Sequence, residues 1–255
     1  LADLLGPVNA KGRQNMIKAA IFDIDGTLVD SVDIHAKCWQ EAFRDFDVDA
    51  TFDEIRTQIG KGGDQLMPEF LSKDQLDRIG KDLEEHRSKI FKDKYMHQIR
   101  PFAQVRELFA RIKKDGVKIA VGSSAKKDEV DYYLDLVGVT DLVDVTASSE
   151  DADKSKPHPD IFEAVLGKLH IAAADALVVG DSPYDAEAAK RAGIIAYGVL
   201  CGGFWAEDLQ KAGAKQIYGG PAEMLEKYDQ IKWSEDQKNE AEEKMAFERM
   251  TESRH

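Results

Sequence analysis

FDIDGTLVDS, residues 22–31, joins the end of an apolar run to a turn that holds two carboxylates. The preceding run, 17–22, reads as a strand, and at a strand end Asp23 and Asp25 point the same way while the apolar Ile24 points the other. Gly26 allows a tight turn, and Thr27 brings a hydroxyl beside the acids. Two like charges held that close cost free energy unless a cation or a proton is shared between them. The arrangement therefore asks for a metal or a proton-transfer task, with an Asp-rich surface turn as the bland alternative.

Outward from this turn, apolar runs with β-branched residues recur at 117–122, 142–146, 176–180, 193–199 and 214–218. Helical patterns at 103–114, 125–136, 159–169 and 184–192 lie between them. Strands apolar on both faces, alternating with helices, predict an α/β fold with a doubly wound parallel sheet covered on both sides. Crossovers of that kind are right-handed. The segment 32–99 breaks the alternation, because it holds no convincing strand and reads as helices, for example 35–46 and the long charged pattern 73–98. It is expected to be an inserted helical cap domain over the carboxyl ends of the strands, where open α/β sheets bind ligands. The expected organisation is a loosely ordered extension at 1–15, a core at 16–31 and 100–229, the cap at 32–99, and a charged C-terminal helix at 230–255. Ile231, Trp233, Met245, Phe247 and Met250 are that tail's large apolar residues, and an amphipathic helix with a solvated charged face is the reading.

The 255 residues carry 35 Lys and Arg against 48 Asp and Glu, a formal charge of −13. A field of that sign repels phosphate chains and argues against a nucleic-acid surface, whereas a small anionic substrate remains open where local cations collect it. Cys38 and Cys201 lack metal-ligand spacing and read as packing residues in a reducing compartment. No stretch reaches the roughly 18 apolar residues of a membrane span, and the first residues lack a signal-peptide core, so the expectation is a cytoplasmic protein, with no membrane partner. Monomer or weak homodimer is the default.

Further polar residues fall at predicted strand ends. Gly122, Ser123 and Ser124 place hydroxyls and a helix start there, where free amides receive phosphate oxygens, although Ser as a helix cap explains them equally. Lys156 precedes Pro157, His158, Pro159 and Asp160, and VVGDSPYD at 178–185 ends a strand on Asp181 with Asp185 following. The four aspartates 23, 25, 181 and 185 against Lys156 leave three net negative charges. A phosphate dianion cannot join such a cluster without a divalent cation. An oxygen-only donor set, without His or Cys, favours Mg²⁺ over zinc.

DxDGTLVDS, the strand-end Ser123, KPHPD and GDSxxD, in this order across 17–218, resemble the haloacid dehalogenase-like superfamily of phosphohydrolases. The resemblance implies that Asp23 is a nucleophile forming an aspartyl-phosphate, and that Asp25 protonates the leaving group and then activates water. It implies Mg²⁺ held by the carboxylates of Asp23 and Asp181 and by the backbone carbonyl of Asp25, with Asp185 ordering water ligands. Thr27, Ser123 with its neighbour Ser124, and Lys156 would hold phosphoryl oxygens. An in-line nucleophile, a positioned acid and neutralised equatorial oxygens are what phosphoryl transfer needs. The helical insertion resembles the cap of the phosphoglycolate phosphatase and β-phosphoglucomutase branch, which would exclude water and discriminate substrates. His35 stands where mutase-like members couple cap closure to the acid/base; a structural helix residue is the alternative. In IGKGGDQL, 59–66, a glycine loop would aim at the site, with Lys61 or Arg56 meeting a substrate anion, or would be a plain exposed turn. Its order does not match a Walker A loop.

The leading expectation is a Mg²⁺-dependent phosphatase for a small phosphorylated metabolite, a sugar phosphate or phosphoglycolate. The same residues would serve a sugar phosphomutase if the phosphoryl group returned to a second hydroxyl. A non-enzymatic phospho-acceptor switch shares the acidic cluster and the Lys, but an acid/base two residues from the nucleophile hastens loss of the phosphoryl group.

Overall fold

A computed structural model describes residues 17–231. The expected extension at 1–15 and all but the first two residues of the expected C-terminal helix lie outside the described residues. The chain enters as strand β1, Ala19–Phe22, passes through the acidic turn, and forms the two-residue strand β2, Val29–Asp30. Helices α1 (Val32–Asp45), α2 (Phe52–Arg56), α3 (Gly63–Leu66) and α4 (Lys73–Ile90) follow. The chain returns through β3, Arg100–Pro101, which pairs antiparallel with β2. Beyond it, α5 (Val105–Lys114), β4 (Lys118–Gly122), α6 (Lys127–Val137), β5 (Val145–Ala147) and α7 (Asp160–Leu169) alternate. The series continues with β6 (Ala176–Gly180), α8 (Pro183–Arg191), β7 (Ile195–Val199), α9 (Ala206–Ala212), β8 (Gln216–Tyr218) and α10 (Pro221–Glu226).

The six-stranded sheet has the order β5-β4-β1-β6-β7-β8, and its neighbours are parallel throughout. This is a doubly wound sheet, and its strand order reverses between β1 and β6. The carboxyl ends of those two strands carry Asp23 and Asp181, so the acidic turn stands at the crevice that such a sheet creates. Both faces are covered. Ala20, Phe22, Ile119, Val121, Leu177 and Val179 pack with α5, α6 and α10 on one face. Ala19, Ile21, Ala120 and Val178 pack with α7, α8 and α9 on the other. That alternation along single strands is the two-residue period of a sheet buried on both sides.

The helices between β2 and β3 extend the first of these clusters through Ala36, Trp39, Phe43, Ile55, Leu66, Leu83 and Phe91. α2 and α4 begin with reciprocal capping boxes, Thr51 with Glu54 and Ser72 with Gln75, which satisfy amides that the helix leaves unpaired. The charged pattern 73–98 is not one uniform helix. After Ile90 the winding loosens to a π turn over Phe91–Tyr95 and tightens over Met96–Gln98. Phe91 is thereby buried against His35, with ring centroids 4.7 Å apart. β5 starts later than its apolar run, at Val145. Leu142 is held in a turn by its bond to Val139, and Asp144 is spent on Ile119, whose amide it accepts at 2.8 Å. Among the described residues no helix is long and apolar enough to cross a membrane.

Candidate active site

Asp23 leaves β1 with its amide bonded to the Val179 carbonyl at 2.9 Å, so its backbone is tied to β6. Its carboxylate is 3% exposed, and Oδ1 accepts from Lys156 Nζ at 2.5 Å. Lys156, itself buried, also lies 2.7 Å from Asp185 Oδ1. That second contact is an ion pair outside hydrogen-bond alignment, which leaves Asp185 Oδ1 without a hydrogen bond. The other Asp185 oxygen accepts from the amide and hydroxyl of Ser182, closing the capping box of α8. Asp181 accepts from the Thr27 hydroxyl at 3.2 Å.

Asp23, Asp181 and Asp185 each offer an oxygen within 4.8 Å of the others. Burial pushes Asp23 up to about 7, against the pull of Lys156 and with the push of Asp185 and Asp25. Burial, then Asp185 and Asp23, push Asp181 well above the usual carboxylate range. Lys156 resists the loss of charge that its burial favours, because Asp185 and Asp23 hold its proton. Three buried carboxylates and one ammonium leave an excess of negative charge that the fold does not neutralise. With one oxygen lacking a hydrogen bond and only hard oxygen donors present, these residues fit a divalent cation. Three glycines press on the same carboxylates. A Cβ on Gly26 or Gly202 would fall 2.3 or 1.8 Å from Asp181 Oδ2, and one on Gly180 would fall 2.4 Å from the Asp185 carboxyl carbon. Gly26 also turns in the left-handed region, at φ 75°.

Asp25 is held apart from this cluster. Its Oδ1 accepts from Ser31 Oγ at 2.6 Å and faces His35 Nε2 at 2.9 Å. Arg87 approaches His35 Nδ1 at 3.1 Å, and Tyr133 OH lies 3.3 Å from Nε2. Burial acts to raise the Asp25 carboxyl, but His35, the Ser31 hydroxyl and Arg87 outweigh it and hold Asp25 below its ordinary range. Two neighbouring aspartates are thus pushed in opposite directions, the signature of a pair with separate roles.

A cavity of about 270 Å³ opens over Asp23 and Asp25 and is roofed by the helical segment. Ser123, Ser124, His35 and Lys61 line it. The Ser123 hydroxyl accepts from the Ala125 amide at 3.1 Å, whereas Ser124 Oγ is buried without a partner. Lys61 is bound to Gln58 and Glu69 at 2.6 and 2.7 Å. Thr27, Lys156, Asp181 and Asp185 sit behind Asp23 rather than on the wall. Arg56 is not brought to the cavity. It clasps Asp33 at 2.7 Å and the Gly202 carbonyl at 3.1 Å, linking α2 to the loop after β7. Two of the five N–H donors of the guanidinium are thereby used on protein atoms.

Residues 20–199 match the haloacid dehalogenase-like hydrolase family. The chain belongs to that family. It is 30% identical over 217 residues to the Clostridium perfringens protein named "Putative pyrophosphatase PpaX", covering 85% of this chain and 99% of that one. It is 30% identical over 200 residues to the phosphoglycolate phosphatase of Pectobacterium atrosepticum, covering 76% and 85%. The crystal structure of a hydrolase from Pseudomonas syringae superposes with a TM-score of 0.76 at 28% identity, over 84% of this chain and 98% of that one.

Several residues around the cavity of this haloacid dehalogenase-like hydrolase escape a sequence reading. Ser31 closes the opening motif and looks like the cap of α1, yet its side chain makes no cap bond because it turns to Asp25. Arg87 is one charge among many on α4. Glu129, in the first turn of α6, and Tyr133, one turn further on, are both buried. Only their spacing of four, which puts them on one face of α6, hints at a shared neighbour.

Proposed function

We propose that this hydrolase is a Mg²⁺-dependent phosphatase that releases phosphate from a small phosphorylated metabolite through an aspartyl-phosphate on Asp23. One observation carries the reading: Asp23 lies at the cavity floor with Oδ1 fixed by Lys156, while Asp25, two residues on, is held by a separate set of partners. Lys156 restrains one oxygen and leaves Oδ2 to attack phosphorus. Asp23, Asp181 and Asp185, with the Asp25 carbonyl that the family resemblance adds, would hold Mg²⁺, which supplies charge neutralisation for the incoming phosphoryl group. As the bond from Asp23 to phosphorus forms, the ester oxygen leaves and takes a proton from Asp25. The arriving dianion raises the proton affinity of Asp25 and readies it for that step. Asp25 then takes a proton from water, whose oxygen attacks phosphorus, and phosphate departs with Asp23 restored. Ser123 and Ser124 would receive phosphoryl oxygens in the loop between β4 and α6, and His35 would orient Asp25. The same reading takes 32–99 as the cap domain and 16–31 with 100–229 as the core. A phospho-acceptor switch is the weaker reading, since Asp25 and its supports serve turnover rather than storage.

Phosphate release from a panel of phosphorylated metabolites, with Mg²⁺ and after chelation, tests the proposal. The expected result is multiple turnover that chelation abolishes. Asp23→Asn should fall below about 10⁻³ of the wild-type rate. A near-normal rate in that variant excludes the covalent route.

A further inference from the structure

The loop 56–64, which links α2 to α3 and lines the cavity from Ile59 onward, touches the core at residues that adjoin the buried charges. Arg56 Nη2 donates to the Gly202 carbonyl at 3.1 Å, and Gly202 is the residue whose Cβ would overlap Asp181 Oδ2. A Cβ on Gly60 would fall 2.6 Å from Ser182 Oγ, the hydroxyl that donates to Asp185. One on Gly62 would fall 2.1 Å from Ser155 Oγ, next to Lys156, and the Ser155 amide donates to Asp64 at 3.1 Å. Tyr184, the residue before Asp185, donates its hydroxyl to the Thr57 carbonyl at 2.6 Å. The Tyr184 ring also faces Lys61, whose Nζ lies 4.8 Å from its centroid. With Gln58 and Glu69 bonded to the same ammonium, the Lys61 side chain is only 9% exposed and is engaged by protein on every one of these sides.

These contacts seat the loop on the short stretches that carry Asp181, Asp185 and Lys156. Like charges in the cluster repel one another until a cation joins them, and the stretches that carry them bear that repulsion. A cation that draws the carboxylates together therefore also firms the surface on which the loop rests. Tyr184 makes the most of this link, because it holds the loop by a hydrogen bond and by its ring face and is joined to Asp185 by one peptide bond. Resting on the reading that Asp23, Asp181 and Asp185 hold Mg²⁺, we infer that Tyr184 is a positioning residue that couples cation binding at the cluster to the seating of the loop 56–64 over the cavity. Coupling between two sites is reciprocal, so freeing the loop from Tyr184 must weaken the cation by the factor through which the cation firms the loop.

The test titrates the chelated full chain with Mg²⁺ by calorimetry and follows hydrogen–deuterium exchange, with and without Mg²⁺, in peptides covering 57–64 and 180–186. In the wild type Mg²⁺ should slow exchange in both. Tyr184→Leu should keep the slowing at 180–186, lose most of it at 57–64, and bind Mg²⁺ about fivefold or more weakly. Tyr184→Phe, which keeps the ring beside Lys61, should fall between. Lys61→Met separates coupling from plain electrostatics. Removing a positive charge near an acidic cluster by itself tightens cation binding, whereas releasing the loop from Tyr184 should weaken it. Mg²⁺ that slows exchange at 180–186 but leaves 57–64 unchanged overturns the inference. So does a Lys61→Met protein that binds Mg²⁺ as tightly as the wild type or more tightly; if Tyr184→Leu does not fold, these two results decide. A wild type that neither binds Mg²⁺ nor shows slowing at 180–186 would instead bring down the Mg²⁺ reading on which the inference rests.

Discussion

Asp25, half-buried, is held below its ordinary range by three neighbours, and the closest is the residue that a sequence reading passes over. Ser31 stands where a helix cap belongs, and its hydroxyl bonds to Asp25 at 2.6 Å instead. Ser31→Ala should cost about 1 kcal/mol of stability, the usual net worth of one intramolecular hydrogen bond. Its larger effect should be on pH dependence. A carboxyl whose folded pKa is depressed contributes stability above its ordinary pKa and loses it as pH falls through the depressed value. Removing one support raises that value, and because Asp25 must carry a proton to protonate the leaving oxygen, the alkaline limb of kcat/KM for Ser31→Ala should move to higher pH. A pH–rate profile showing an unmoved limb would separate Ser31 from the acid/base. Asp23 and Asp181 are legible because each follows the end of an apolar run, Asp25 and Asp185 by their spacing from them, and Lys156 because Pro157 and Pro159 follow it. Of the two cations the glycine loop suggests, Lys61 lines the cavity and Arg56 does not, because nothing in a linear reading shows that Asp33 and the Gly202 carbonyl bond it.

At the scale of elements, strand ends deliver the acids and glycines make room for them. The alternation of strands and helices, the parallel sheet and the inserted helices could all be read from the pattern, since each rests on local periodicity. The switch of winding at Ile90 could not, because it answers to the contact between Phe91 and His35 rather than to its own neighbours. The loop after β7 was equally silent. Gly202 there approaches Asp181 so closely that a methyl group would overlap its Oδ2. Gly202→Ala should therefore displace Asp181 while leaving the sheet intact. The expected outcome is at least tenfold weaker Mg²⁺ activation, measured by metal titration of turnover, with a circular dichroism spectrum like the wild type. Cys201, next to it, directs its thiol to the Gly26 carbonyl at 3.1 Å, which ties this loop to the acidic turn and gives a packing cysteine a place near the site.

For the whole molecule, the acidic cluster sets a conflict between stability and charge. Asp23 is raised to about 7 and Asp181 well above the usual range, chiefly by burial. A carboxyl with a raised folded pKa favours folding below its ordinary value and loses that contribution as pH rises through the folded one. Chelated protein should therefore melt lower at pH 7.5 than at pH 5 by more than Asp181→Asn does, and Mg²⁺ should restore several degrees at pH 7.5 to the wild type but fewer to the variant. Thermal melts of both proteins with and without metal measure this difference. A Mg²⁺ shift of equal size in the two would place the cation elsewhere. The ribbon of β2 and β3 has a consequence of another kind. Asp30 pairs with Arg100, so the chain leaves the sheet and comes back at neighbouring positions. For the core, everything between them is a single closed loop, and the entropy of closing a loop grows only with the logarithm of its length, about 0.6 kcal/mol per doubling. The helices that roof the cavity can thus be lengthened, shortened or exchanged at little thermodynamic expense to the sheet beneath, so new substrates are reachable without refolding the catalytic floor.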